Sequence, residues 1–162
     1  KAIVYKSRTG HTKKYAEILK KKKKIPYYTI KEANKKLSRD DEIIYLGWIC
    51  ATKLSGLKKV NKKYNVRCYG MIGAYPKDEK YIQELKKSNN LNENAFYLRG
   101  GIDYTKLKGI KKKVIKMVSL AIEKENKPEN KELIELFKNG GNYVSENNLE
   151  DLIIYIKNKK DE

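Results

Sequence analysis

Apolar and polar positions along the chain follow two alternating rhythms. Ala2 to Tyr5, Tyr27 to Ile30, Glu42 to Leu46, Val66 to Ile72 and Ala95 to Leu98 are short blocks rich in β-branched and aromatic residues, bounded by turn residues. They read as five strands. Between them, Thr12 to Lys23, Lys31 to Leu37, Gly56 to Lys63 and Lys77 to Lys87 read as helices. Near-continuous apolar strands separated by helices predict a parallel sheet covered on both faces through right-handed crossovers.

After the fifth strand the rhythm changes. Leu107, Ile110, Val114, Met117, Val118, Ala121 and Ile122 recur at steps of three and four, which predicts one long amphipathic helix over Thr105 to Lys124. A weaker helix follows Pro128 with Leu133, Ile134, Leu136 and Phe137, and Gly140-Gly141 ends it. Leu149, Leu152, Ile153 and Ile156 share one face of a closing helix. No internal repeat is visible, and the lysine runs Lys20 to Lys24 and Lys111 to Lys113 sit inside helical patterns. At 162 residues the expectation is one domain, 1–162, with a helical extension at about 99–145.

Charge adds a question about partners. Lysine and arginine number 38 against 20 acidic residues, a formal net charge of +18. Such a field draws nucleic acid, anionic lipid or an acidic protein, but an excess of Lys, Asn, Ile and Tyr is also what codons biased toward A and T produce. No RNP-type sequence, zinc finger or helix-turn-helix accompanies the charge, so nucleic-acid binding is not expected. In the long helix Lys106, Lys108, Lys111, Lys112, Lys113, Lys116 and Lys124 face only Glu123 as an acid. That pattern suits either peripheral contact with an anionic membrane or a solvated face.

No apolar run approaches the roughly 20 residues that cross a bilayer, and the first apolar block stops at Lys6, too short for a signal-peptide core. A cytoplasmic protein is expected, at most peripheral at the inner face of the membrane. Cys50 and Cys68 are not spaced as CxxC, and with His11 the only histidine no metal is expected. The same shortage of bases removes most serine-hydrolase readings.

The candidate chemistry lies in Ser7-Arg8-Thr9-Gly10-His11-Thr12, between the first strand and the first helix. Three hydroxyls, a glycine that lets backbone approach a ligand, and the N–H groups of a helix start make a phosphate cradle. The loop lacks GxxxxGK[ST] and GxGxxG, so neither a nucleoside triphosphate nor a dinucleotide is indicated. An ordinary turn with Thr9 or Thr12 as helix cap remains the alternative. A receiver domain, which shares the sheet order, is disfavoured because the first strand ends in Lys6-Ser7 rather than in an acidic cluster.

At this loop the chain resembles the flavodoxin superfamily, whose first loop reads S/T-x-T-G-x-T; Ser7, Thr9, Gly10 and Thr12 match it. The resemblance implies a three-layer α/β sandwich with a five-stranded parallel sheet in the order 2-1-3-4-5. It also implies FMN, its phosphate in Ser7 to Thr12 and its ring between two further loops. Those are Gly47-Trp48-Ile49-Cys50-Ala51-Thr52 after the third strand and Gly73-Ala74-Tyr75-Pro76 after the fourth. Trp48 and Tyr75 are then expected to flank the ring, with Cys50 packed near it. Open α/β sheets bind ligands beyond the carboxyl ends of their strands, which favours a site at Trp48.

Phe96-Tyr97-Leu98-Arg99-Gly100-Gly101-Ile102-Asp103-Tyr104, followed by the basic helix, resembles the branch that contains the menaquinone-dependent protoporphyrinogen dehydrogenases. The implied function is a quinone-linked FMN oxidoreductase in which the flavin, and no side-chain acid or base, carries the reaction. The alternatives are a one-electron carrier and a basic binding module that has lost its flavin. Carrier flavodoxins are acidic and lack such an extension. The three cofactor loops are expected to be complete without the extension, which is assigned to substrate or membrane. Arg8 points either to phosphate or to solvent, and Arg99 is open to a cofactor, a carboxylate substrate or a salt bridge to Asp103.

Overall fold

The computed structural model describes residues 1–107 and 109–158, apart from the side chains at 110 and 111; Lys108, expected on the basic helix, lies outside the described residues, as does the side chain of Lys111. Along the chain run β1 (Ala2–Lys6), α1 (His11–Lys23), β2 (Tyr27–Thr29), α2 (Ile30–Lys36), β3 (Glu42–Cys50), β4 (Lys53–Leu54) and α3 (Leu57–Asn61). Then follow β5 (Asn65–Gly73), α4 (Glu79–Asn89), β6 (Ala95–Arg99), β7 (Gly101–Ile102), α5 (Ile110–Lys124), α6 (Lys131–Asn139), β8 (Gly141–Asn142) and α7 (Glu150–Asn158).

The main sheet has the order β2-β1-β3-β5-β6, all parallel, with β4 paired antiparallel to the end of β3. Counting the parallel strands alone, this is the expected 2-1-3-4-5 order of a three-layer α/β sandwich. Alternation along each strand feeds two cores. Ile3, Ile44, Leu46, Cys68 and Leu98 pack under Tyr15 and Leu19 of α1 and Leu152 and Ile156 of α7. Val4, Ile43, Tyr45, Met71 and Tyr97 pack under Ala33, Val60, Ile82 and Leu85 from α2, α3 and α4. A third, smaller core joins Ile102 to Leu133, Leu136 and Phe137, with Ile115, Val118 and Ile122 of α5 packed against it.

Several boundaries move for local reasons. β3 continues to Cys50 rather than stopping at Leu46. Trp48 still pairs with Ile72, and Ile49 and Cys50 turn back onto Leu54 and Lys53 as a hairpin. Four of the six residues of the expected loop, Gly47 to Cys50, are therefore strand. The helix expected from Thr105 begins at Ile110. The Asp103 carboxylate accepts from Thr105 N at 3.0 Å and Thr105 Oγ1 at 2.5 Å, a local turn that competes with helix. Gly109 at φ +63° then redirects the chain. Arg99 does not pair with Asp103. Its Nη2 meets Glu132 of α6 at 2.6 Å, and its guanidinium lies 3.6 Å from the Tyr143 ring centroid.

Candidate functional site

Lys6 pairs with Gly47 at the carboxyl edge of the sheet, so the chain from 7 to 10 leaves the sheet beside its central strand. Gly10, at φ +105°, stands at the N-cap of α1, and no side chain caps that helix start. Neither Thr9 nor Thr12 acts as the cap that an ordinary turn would use. Ser7 Oγ instead accepts from Lys13 N at 3.3 Å, and Thr9 Oγ1 lies 3.0 Å from His11 Nδ1. His11 and Thr12 are buried in the first turn. Burial lowers the His11 pKa, Lys14 and Lys106 lower it further and Asp103 opposes them. A neutral imidazole at this position leaves positive charge to lysine and arginine side chains.

The second wall is the β3–β4 hairpin. A Cβ on Gly47 would lie 2.8 Å from Leu54 Cδ1 and 2.9 Å from Ser55 O. Gly47 is thus the residue that lets the hairpin fold back, and it lies beneath the hairpin rather than on the cavity wall. Asn89 fixes the hairpin to α4: its Oδ1 accepts from Leu54 N at 2.8 Å and its Nδ2 donates to Thr52 O at 2.7 Å. Ala51, at the tip, has φ +53°, a left-handed conformation that costs a residue with a Cβ about 1 kcal/mol. Trp48 faces the cavity with the Arg8 guanidinium 5.0 Å from its ring centroid, and its buried Nε1 has no hydrogen-bond partner.

The third wall follows β5. A Cβ on Gly73 would fall 2.6 Å from Tyr97 Oη, and that hydroxyl donates to Tyr75 O at 2.7 Å. The Tyr75 ring sits 5.1 Å from Tyr81 and 5.9 Å from Phe137, centroid to centroid. Burial raises the Tyr75 hydroxyl pKa and pushes that of Tyr81 up to about 12, so both remain neutral donors. Tyr75 thus belongs to an aromatic cluster that reaches into the extension.

These walls enclose one cavity of about 650 Å³, within the range of organic-ligand sites. It gathers Arg8, Thr9, His11 and Thr12 with Trp48, Ile49, Cys50 and Ala51, and with Gly73, Ala74 and Tyr75. Ser7, Gly10, Gly47 and Pro76 are not among the lining residues. The lining also includes Thr52, Ile72 and Tyr81, and an entire side that the sequence reading did not anticipate: Gly101, Ile102, Asp103, Leu107, Val114, Ile115, Val118 and Phe137. The three loops therefore do not enclose the cavity by themselves: the extension, expected to lie apart from them, closes its remaining side. The signal lay in α5, where Val114 is surplus to the stripe of Ile115, Val118 and Ile122 that packs against Ile102 and Phe137, and it lines the cavity.

An uncapped helix start with hydroxyls at one end and a Trp-walled, mainly apolar slot at the other suit a ligand that is anionic at one end and flat at the other. Among the described residues, no group of three or more His, Cys, Asp or Glu side chains is placed to hold a metal ion, and no helix is long and apolar enough to cross a membrane. A family model described as "Flavodoxin domain" matches residues 2–129. The chain belongs to that family, and the match takes in all five parallel strands together with α5. No curated protein matches the chain.

Proposed function

We propose that this member of the flavodoxin-domain family is an FMN-dependent, quinone-linked oxidoreductase resembling the protoporphyrinogen dehydrogenases. The observation that carries the reading is the single cavity in which the phosphate-type loop, the Trp48 wall and the extension meet. Thr9, Thr12 and the uncapped N–H groups of α1 hold the phosphate, with Ser7 and Gly10 shaping the loop around them. Trp48 to Ala51 and Gly73 to Tyr75 hold the ring, with Gly47 setting the hairpin. FMN bound there supplies electron and hydride transfer. The protein side chains orient it, exclude water and leave no acid or base in a catalytic role.

The roof from Ile102, Leu107, Val114 and Val118 favours a small lipophilic substrate over an electron-carrier role, because it covers the space through which a protein partner would approach a ring edge. The outer face of α5, with Met117 and Leu120 exposed among lysines, favours peripheral contact with an anionic membrane.

The test is a flavin titration of the wild type and of the double variant Thr9→Ala/Thr12→Ala. Two hydrogen bonds to a charged phosphate contribute about 1.5–3 kcal/mol each, so affinity should fall at least about tenfold. Trp48 emission should be quenched as FMN binds. An unchanged titration in the double variant, or undiminished emission at saturation, refutes the placement. Turnover of a small-molecule donor with a quinone then separates an enzyme from a carrier, which needs a protein on each side.

A further inference from the structure

We infer that Lys106, delivered by the extension from 97 residues downstream of Thr9, is the cation that recognises the ligand's phosphate and makes the site selective for the mononucleotide over the unphosphorylated nucleoside. The inference rests on the FMN reading and names a residue outside the loop that carries the family resemblance. Lys106 Nζ donates to Thr9 O at 3.1 Å and would lie 3.3 Å from a Cβ placed on Gly10. Its ammonium therefore stands directly over the turn that opens α1. Asp103 Oδ2, 3.4 Å away, steadies it from the side. Asp103 is itself fixed by the Thr105 hydroxyl and amide.

Other charges near the loop are otherwise engaged. The Arg8 guanidinium is held over the Trp48 ring, Lys13 pairs with Glu17 along α1, and His11 is kept neutral by burial. Lys14 adds to the positive field felt by His11, but among the described residues Lys106 is the ammonium in hydrogen-bond contact with the loop backbone. Thr9 O is a neutral acceptor, and a phosphate oxygen is a stronger partner for an ammonium. A ligand phosphate in the loop can thus take over the Lys106 contact without new backbone movement. The same contact ties the extension to the cofactor, because Lys106 lies between β7 and α5.

FMN and riboflavin differ only in the phosphate, so they are the probes. Each is titrated by fluorescence quenching into the wild type, Lys106→Gln, Lys106→Arg and Arg8→Gln. The Lys106 side chain is more than half exposed, so these substitutions leave the core untouched. Lys106→Gln should weaken FMN about tenfold and riboflavin less than twofold, Lys106→Arg should keep most of the FMN affinity, and the FMN affinity of Lys106→Gln should depend less on salt. Arg8→Gln, acting through Trp48, should weaken both flavins alike. Equal loss of both flavins in Lys106→Gln, no loss of FMN, or equal binding of FMN and riboflavin by the wild type overturns the inference and leaves the flavin reading standing. A wild type that takes up neither flavin overturns the flavin reading, and this inference with it.

Discussion

Replacing Gly101 with alanine should unlatch the extension and leave the main sheet folded. A Cβ at that position would sit 2.0 Å from Gly141 O and 2.9 Å from Gly141 C, and neither backbone atom can swing aside as a flexible side chain would. The two strands meet through Gly101↔Asn142 and Ile102↔Gly141, and Tyr143 N donates to Gly100 O at 2.7 Å immediately beyond them. Relieving the overlap separates β7 from β8 and loses roughly two hydrogen bonds at about 1 kcal/mol each. Partial exposure of Ile102 adds about 1 kcal/mol. The local loss is then about 3 kcal/mol. Neither of the cores that flank the sheet contains Gly101, Ile102 or Gly141, so the loss should stay local. Native-state hydrogen exchange reads it directly. Protection of the Tyr143 amide should fall about a hundredfold, while Val4 and Tyr45 amides exchange as before. Equal losses in β1 and β3 would mean that extension and sheet open as one unit, and unchanged exchange at Tyr143 would mean that the overlap is absorbed; either result refutes the reasoning.

Three further outcomes can be measured on the same protein. Ser119 is 3 % exposed with its hydroxyl unpartnered, so Ser119→Ala should stabilise the chain by about 1 kcal/mol in urea unfolding, and a loss of stability would reveal a bond to that hydroxyl. Because the folded His11 pKa lies below the ordinary 6.5, the stability His11 contributes is present above pH 6.5 and is lost as pH falls through the lowered value. Thermal stability should therefore drop on acidification from pH 6.5, and His11→Gln should flatten the drop; an identical profile in the variant counts against it. Met117 and Leu120, 69 % and 50 % exposed beside Lys113 and Lys116, should carry the full chain onto anionic vesicles at low salt. Met117→Gln/Leu120→Gln should release it, whereas a wild type that stays in the supernatant makes this a solvated face.

The sheet was legible because its signals are local. β-branched runs such as Ile43-Ile44-Tyr45-Leu46, each followed by a helical period, dictate a parallel arrangement before any contact is known. The first loop was legible for the same reason, since hydroxyls and glycine at fixed spacing sit between one strand and one helix. What escaped were features decided by distant partners. Trp48 reads as loop because Gly47 precedes it, yet Ile72 pairs with Trp48 and Leu54 returns to pair with Ile49, which makes the segment strand. Arg99 finds Glu132 rather than nearby Asp103, because Asp103 is already occupied by Thr105 and Lys106. The side closed by the extension could not be read from any single segment, since Phe137, Val118 and Tyr75 come to one cluster from α6, α5 and the loop after β5.

The position of the extension bears on which partner the cavity accepts. A carrier exchanges electrons with another protein through an accessible ring edge, and its partner is recognised by the charges around that edge. Here Val114 lines the cavity and is itself 50 % exposed, so the rim on that side is apolar. Lys113 and Lys116 lie farther round α5, next to Met117 and Leu120. A protein partner drawn by the lysines would meet exposed methionine and leucine before reaching the cavity. A lipid surface accepts both at once: lysine ammonium groups at the level of the headgroups and apolar side chains below them. Under the proposed reading, a lipophilic quinone would pass from a bilayer along Val114 to the cavity without crossing water. The proposed quinone-linked reaction therefore gives a role to the roof, the rim and the outer face of α5 together, whereas one-electron exchange with a soluble protein gives a role to none of them.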